Sequence, residues 1–580
     1  MASAKFLSEF SPVSTVEWDH AIRKSLDGTK DPEKLIWHPE EGLSVRPCYR
    51  AEDLKDLTFL EAGPGEFPYV RGTRTVGDWR IREEIDAADP EEANRFAVEA
   101  IGAGADEIAF NGAAISNQAT MAQLLANFKG TSVRFHGLDP QSVPIVAEWF
   151  RAHPHGGHVS ADIDALAAPR YSAELSSALP GSRLLTISAE QYEEEGLGAI
   201  EQLAFTLSAG VEFVDAMLEL GVSITRATEA IIFSFAIGPR FFIEIAKLRA
   251  FRLVWARAVD GFGGNAESAK AVIYARTAHW NETIYDPQVN TLRATTEAMS
   301  AIVGGADSIA VTPFDECYRK PDGASRRLAR NVQVVLKREA NLMRVADPLG
   351  GAYAIEALTD SIATQAWHMF QAIEAAGGYC KAKADGMIER IIERRSADRD
   401  HSSSHRRLAL TGTNRHALSS ERALDRVECF QPHRNARVAR KFEVMRLNTE
   451  RAALKGKLPR IILAEFGNAK MRETRAQFAA DFLACAGLGA EIRVFDSPAA
   501  MSEANADLIV LCSSDAEYLE FACELMPLLN GHECVPQIAV AGNPESAEDL
   551  KRIGVADFIH LGSNAVEVLT RLQQKLGIEG

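Results

Sequence analysis

The sequence predicts an α/β protein, a (β/α)8 TIM barrel followed by a flavodoxin-like, doubly wound C-terminal domain, on three observations. Short apolar runs alternate with longer helical patterns over residues 66–390, the rhythm lapses in an Arg-rich stretch at 391–457, and it resumes as βα units over 458–580. Residues 1–65 lack this rhythm and read as an N-terminal arm, with an amphipathic helix expected near Val16–Leu26.

Within 66–390 the candidate strands are Glu107–Asn111, Ser132–His136, Arg183–Ser188, Ala271–Arg276 and Asp307–Val311. Helical patterns lie among them at Pro90–Ala103, Ala199–Leu220, Arg240–Val259, Val289–Val303, Ser325–Met343 and Leu358–Gly377. Parallel strands need such crossovers, and closure into a barrel is the most economical arrangement. Gly102-Ala-Gly104 and Gly304-Gly305 precede strands, so they read as turn and C-cap glycines rather than phosphate cradles. The stretch 391–457, with Glu393-Arg-Arg-Ser396 and His433-Arg-Asn-Ala-Arg-Val-Ala-Arg440, reads as a linker, an ordered belt between two domains. Beyond it strands are expected at Arg460–Glu465, Glu491–Phe495, Asp507–Cys512, Gln537–Ala541 and Asp557–Leu561.

Composition narrows the function. With 46% apolar and 25% charged residues the chain is globular, and 80 acidic against 63 basic residues give a net charge of −17 that opposes nucleic-acid phosphates. Its longest uncharged apolar run, Ala230–Pro239, falls far short of the ~20 residues of a membrane span. Met1–Pro12 has no leader pattern, and the eight cysteines are scattered with no CxxC pair, so free thiols in the cytoplasm are expected.

No GxxxxGK[ST] or GxSxG motif supports nucleotide hydrolysis or a nucleophile elbow. His153-Pro-His155-Gly-Gly-His158 has neither a helical pair nor an acidic ligand, and reads as a loop rather than a metal site. Glu193-Glu-Glu195 reads as a solvated helix start.

Four phrases carry a resemblance: Val76-Gly-Asp-Trp79-Arg-Ile-Arg82, Leu203-Ala-Phe-Thr-Leu-Ser-Ala-Gly-Val-Glu-Phe213, the helix from Phe241 to Trp255, and Arg344-Val-Ala-Asp347-Pro-Leu-Gly-Gly351-Ala-Tyr353. With the order of domains, they make the chain resemble the adenosylcobalamin-dependent acyl-CoA mutases, methylmalonyl-CoA mutase in particular, along nearly its whole length. The resemblance also marks what is changed. Catalytic relatives follow Trp-x-Ile-Arg with Gln-Tyr, whose phenol packs on the reacting acyl group; here Glu83-Glu84 follows. Their general-acid histidine, counted back without a gap from Phe205, falls on Gln191, which cannot exchange a proton near neutral pH. Their CoA-contacting Arg-Thr-His-Ser-Gln becomes Arg276-Thr-Ala-His279-Trp280. The cobalamin motif Asp-x-His-x-x-Gly becomes Ala469, Met471 and Thr474, removing the imidazole ligand and the carboxylate that orients it.

The resemblance thus implies a small, non-catalytic subunit without catalytic, cofactor or metal residues of its own. A homologous catalytic large subunit would complete the heterodimer, holding adenosylcobalamin and the acyl-CoA. Two alternatives stand beside it: a mutase active alone through unconventional cobalamin ligation, and a non-reacting acyl-CoA-binding protein. Electrostatics is expected to disfavour the last, because Glu83, Glu84 and Glu193–Glu195 around a pocket mouth would repel CoA phosphates.

Overall fold

A computed structural model describes residues 11, 13–26, 32–111, 115–128, 130–138, 140–153, 158–163, 183–428, 437–530 and 535–578. Eight parallel strands close a barrel in chain order: β1 (Arg80–Asp86), β2 (Glu107–Asn111), β3 (Ser132–His136), β4 (Val159–Ile163), β5 (Arg183–Ser188), β6 (Ile231–Ile237), β7 (Ile273–Thr277) and β8 (Ser308–Ala310). Closure runs through β1 and β8, with Arg80 opposite Ser308 and Arg82 opposite Ala310.

Alternation along each strand sorts the side chains. Ile81, Ile85, Phe110, Phe135, Phe233, Phe235, Ile273 and Ile309 enter the core under the helices. The opposite faces turn Arg82, Glu84, Arg134, Tyr274 and Arg276 toward the barrel axis. Strands β2, β3 and β5 fall where the sequence places them, whereas β7 begins two residues later than expected and β8 is shorter. Strands β1, β4 and β6 are additions. β6 is buried at every position, so it shows no alternation, and in β1 the inward face is charged, which masks the usual pattern.

Helices Ala199–Glu219 and Phe241–Gly261 are buried over most of their surface, charged residues such as Lys247 and Arg249 included, because Tyr353–Ala375 covers them from outside. Their approach needs Gly210, where a Cβ would lie 2.9 Å from the Trp255 ring.

The second sheet has the order β10-β9-β11-β12-β13, built from β9 (Ile461–Glu465), β10 (Glu491–Val494), β11 (Leu508–Cys512), β12 (Gln537–Val540) and β13 (Asp557–Phe558). This is the flavodoxin-like order, with an apolar core on each face. β13 stops three residues short of expectation because His560 N–H turns to the Ser563 hydroxyl.

Helices Met387–Ser404 and Arg440–Leu454 occupy much of the described Arg-rich stretch. Phe442 and Met445 join the C-terminal core, and the arginines go inward: Arg437 grips Glu443 at 2.6 Å, and Arg446 lies 3.5 Å over the Tyr285 ring. In the arm, helix Thr15–Ser25 is closed by a Ser14/Glu17 capping box and buries none of its residues. No helix among the described residues is long and apolar enough to cross a membrane, and the described cysteines are free thiols.

Candidate functional site

In (β/α)8 proteins chemistry sits at the C-terminal ends of the strands. Here that end of the lumen holds Glu84 of β1, whose carboxylate faces Arg82 Nη2 at 3.5 Å, Arg276 Nε at 3.5 Å and His136 Nε2 at 3.8 Å. Burial alone would raise its pKa, but Arg276, Arg82, His136 and Arg134 outweigh it and pull the carboxyl down to about 2. Where the resemblance places a neutral phenol, the chain therefore holds a fixed anion neutralised by its own cations.

Deeper in, three guanidiniums surround one ring. Arg80, Arg82 and Arg134 lie 5.6, 5.2 and 4.8 Å from the centroid of Tyr274, and Arg80 also pairs with Glu107 at 2.8 Å. Arg82, Arg134, Glu107 and Tyr274 are each at most 2% exposed, so this layer fills the middle of the barrel.

Glu83 and Glu193–Glu195 do not form the repelling rim that the sequence suggests. Glu83 is ion-paired with Arg330, and the cavity beside it carries more cations than anions. Glu193 is buried rather than solvated: it accepts from Trp280 Nε1 at 2.9 Å and from Gln202, and Arg399 ties the Glu193 and Glu194 carbonyls to helix Met387–Ser404. Trp280 and Glu193 are thus partners, a pairing across the fold that no local motif signals. Gln191 is exposed, and it is its neighbour Glu190 that turns inward, accepting from the Ser234 hydroxyl of β6. Among the described residues no cluster suited to a metal occurs; of the three histidines, His155 lies outside them and His153 stacks on Trp149.

Behind Glu193 lies Glu297, fully buried, with its carboxylate accepting from Asn281 Nδ2 at 2.6 Å. Burial pushes its pKa up to about 8; Asn281 and Arg293 oppose this, while Glu244 and Glu193 reinforce it. A folded-state pKa above the unfolded ~4.3 means that stability falls as pH rises between the two values, by up to ~1.4 kcal/mol per unit. Glu297→Gln keeps the acceptor but not the titration. In urea unfolding the variant should gain on the wild type by about 2–3 kcal/mol between pH 6 and pH 8; parallel pH profiles would refute this.

In the second domain, Ala469, Met471 and Thr474 lie in the first turns of helix Ala469–Ala484, with Met471 N–H donating to the Asn468 cap. The crevice where the strand order reverses, between β9 and β11, is the usual ligand position in this fold. Its rim is taken by Glu517, which accepts from the hydroxyls of Ser513 and Ser514 and from Asn468 N–H at 3.3 Å. Those hydroxyl bonds hold its carboxyl down at about 2. A Cβ on Gly467, whose φ is +64°, would lie 2.4 Å from the same carboxylate. Below, Phe466 stacks on Phe521 at 3.8 Å, and buried Tyr518 donates to the Ser513 and Ala541 carbonyls at 2.7 Å. The residues present therefore do not fit a corrin ligated through an imidazole.

Comparison with known proteins agrees with this architecture. A family model described as methylmalonyl-CoA mutase matches residues 38–117 and 170–481. The chain is 34% identical to the methylmalonyl-CoA mutase small subunit of Porphyromonas gingivalis over 99% of both chains. It is 30% identical to the small subunit of Streptomyces virginiae over 98% of both. With the methylmalonyl-CoA mutase of Escherichia coli it shares 30% identity over 71% of this chain and 65% of that protein. The chain belongs to the methylmalonyl-CoA mutase family.

Proposed function

We propose that this chain is the small, non-catalytic subunit of a heterodimeric, cytoplasmic methylmalonyl-CoA mutase. It supports a homologous large subunit that holds adenosylcobalamin and interconverts methylmalonyl-CoA and succinyl-CoA. The observation that carries the reading is the Glu84 cluster: where catalytic relatives present a phenol to the acyl group, the mouth of the barrel holds a carboxylate engaged by the guanidiniums of Arg82 and Arg276 and by the His136 imidazole. The altered positions Ala469, Met471 and Thr474 support the absence of a corrin on this chain. The arm helix, none of whose residues is fully buried within its own chain, supports a role in contacting a partner, together with barrel helices and the Arg-rich segment.

The test is co-expression. The two-chain complex should purify with the visible absorbance of a corrin and turn over methylmalonyl-CoA, and this chain alone should do neither. A large subunit that is equally stable and active without this chain would overturn the reading, as would corrin absorbance on this chain alone.

A further inference from the structure

No three ligands of the kind that close a metal centre gather among the described residues, but one pair of imidazoles is placed as an open site requires. His401 lies in the last turn of helix Met387–Ser404, and His405 is its C-cap. Four residues apart, the two share one face of the helix, and their rings lie 4.0 Å apart between centroids with planes 33° from parallel.

His405 Nδ1 is 2.9 Å from the His401 carbonyl oxygen, which can only accept. The proton of the neutral ring therefore sits on Nδ1, and Nε2 carries the lone pair. Metal-binding histidines use this arrangement, one ring nitrogen held by a carbonyl while the other faces the ion. His401 is exposed, and its ring nitrogens make no hydrogen bond to the protein among the described residues. The surroundings favour a cation, because the last turn is the negative end of the helix dipole. Exposed Asp398 stands one turn before His401 on the same face, whereas Asp400 is taken by Lys441 at 2.6 Å. Arg394, two turns before His401, and Arg407, beyond the cap, are both exposed to water that screens them.

We propose that His401 and His405 form a two-imidazole site for a first-row transition-metal dication, with water completing the coordination. Imidazole suits copper, nickel and zinc, and of these Cu(II) binds a given pair of nitrogens most tightly. Two nitrogens each ~2 Å from one ion stand about 3 Å apart, a distance that rings so close reach by a small rotation. The ion ties the last turn of the helix to its cap. Just beyond, Arg406 turns at a φ of +57° and carries the contact to the second domain, donating from Nε to the Asn414 carbonyl at 2.8 Å and pairing with Asp481 of helix Ala469–Ala484. The site uses neither CoA nor a corrin, so it stands apart from the proposed subunit role.

Cu(II) titration of the purified full chain, read by electron paramagnetic resonance, tests it. His153, His155 and His158 are first replaced by asparagine, so that the other closely spaced histidines give no signal. This background chain should bind one equivalent of Cu(II), with splitting from two nitrogens and a thermal midpoint raised by the metal. His401→Asn and His405→Asn should each weaken that equivalent at least about tenfold and leave at most one nitrogen in the spectrum, with unchanged metal-free midpoints showing that both fold. With His153, His155 and His158 left in place, the same two substitutions should each remove one equivalent from the total. No saturable equivalent in the background chain, a spectrum with a single nitrogen, or an equivalent undiminished by either substitution would each overturn the proposal. None of these outcomes bears on the co-expression experiment, which reads cobalamin and turnover in the complex.

Discussion

Arg249→Ala is expected to lower the unfolding free energy by ~3–5 kcal/mol, among the largest effects of any single substitution in the barrel. Arg249 lies in helix Phe241–Gly261 with its side chain 1% exposed. It donates to Glu356 at 2.7 Å, to Asp347 and, at 3.4 Å, to the Thr359 hydroxyl. Truncation would strand two buried carboxylates at once, in a place water does not reach. It would also release the loop between them, because Glu356 accepts from Gly351 N–H at 2.7 Å and Asp347 holds a left-handed φ of +45°. Arg71, which also pairs with Asp347, is 3.8 Å away and cannot replace the lost bonds. Arg249→Lys should lose less, because it keeps the charge and one of the two pairs. The triple variant Arg249→Met, Asp347→Asn, Glu356→Gln should be more stable than Arg249→Ala, since replacing the whole group removes the unpaired charges. Urea unfolding measures all three. A loss below about 1 kcal/mol in Arg249→Ala, or a triple variant worse than the single, would show that the group is solvated in the folded state.

This group also shows where sequence stops being informative. Arg344–Tyr353 stood out as a phrase, yet nothing in its spacing says that Arg249 secures it, because the pairing depends on how one helix crosses another. Strands β2, β3 and β5 are legible because their apolar residues stand out from polar surroundings. β1 is not, because Arg80, Arg82 and Glu84 face a lumen they fill with charge rather than solvent. The same inversion hides helix Arg440–Leu454, whose Arg437, Glu443 and Arg446 partners are buried ions that composition reads as a solvated linker. At the site, the changes at Glu84, Ala469, Met471 and Thr474 are legible position by position. What compensates for them is not: Arg276 reaches Glu84 across barrel register, Trp280 meets Glu193 from another loop, and Glu517 arrives at Gly467 from the far side of β11.

That compensation decides a second result. Rewriting Ala469→Asp, Met471→His and Thr474→Gly together restores the family's cobalamin motif in letters, yet the variant is expected to retain no corrin absorbance after gel filtration with hydroxocobalamin. The three positions lie in a helix that begins at the Asn468 cap, so the new glycine costs ~1 kcal/mol of helix stability without turning the histidine toward a ligand. Any group entering the crevice must also displace Glu517 from Ser513, Ser514 and Asn468, and then part the Phe466–Phe521 stack. Tyr518 is the deeper obstacle. It is fully buried, and its hydroxyl ties β11 to the end of β12, so Tyr518→Ala would cost ~3–5 kcal/mol and loosen the sheet that should carry the cofactor. Cobalamin capacity is therefore opposed twice, by missing ligands and by a crevice filled with the chain's own side chains, and restoring the ligands addresses only the first. Corrin retained by the triple variant alone, with histidine ligation visible in its spectrum, would mean that the crevice opens at little cost and that only the ligands were missing.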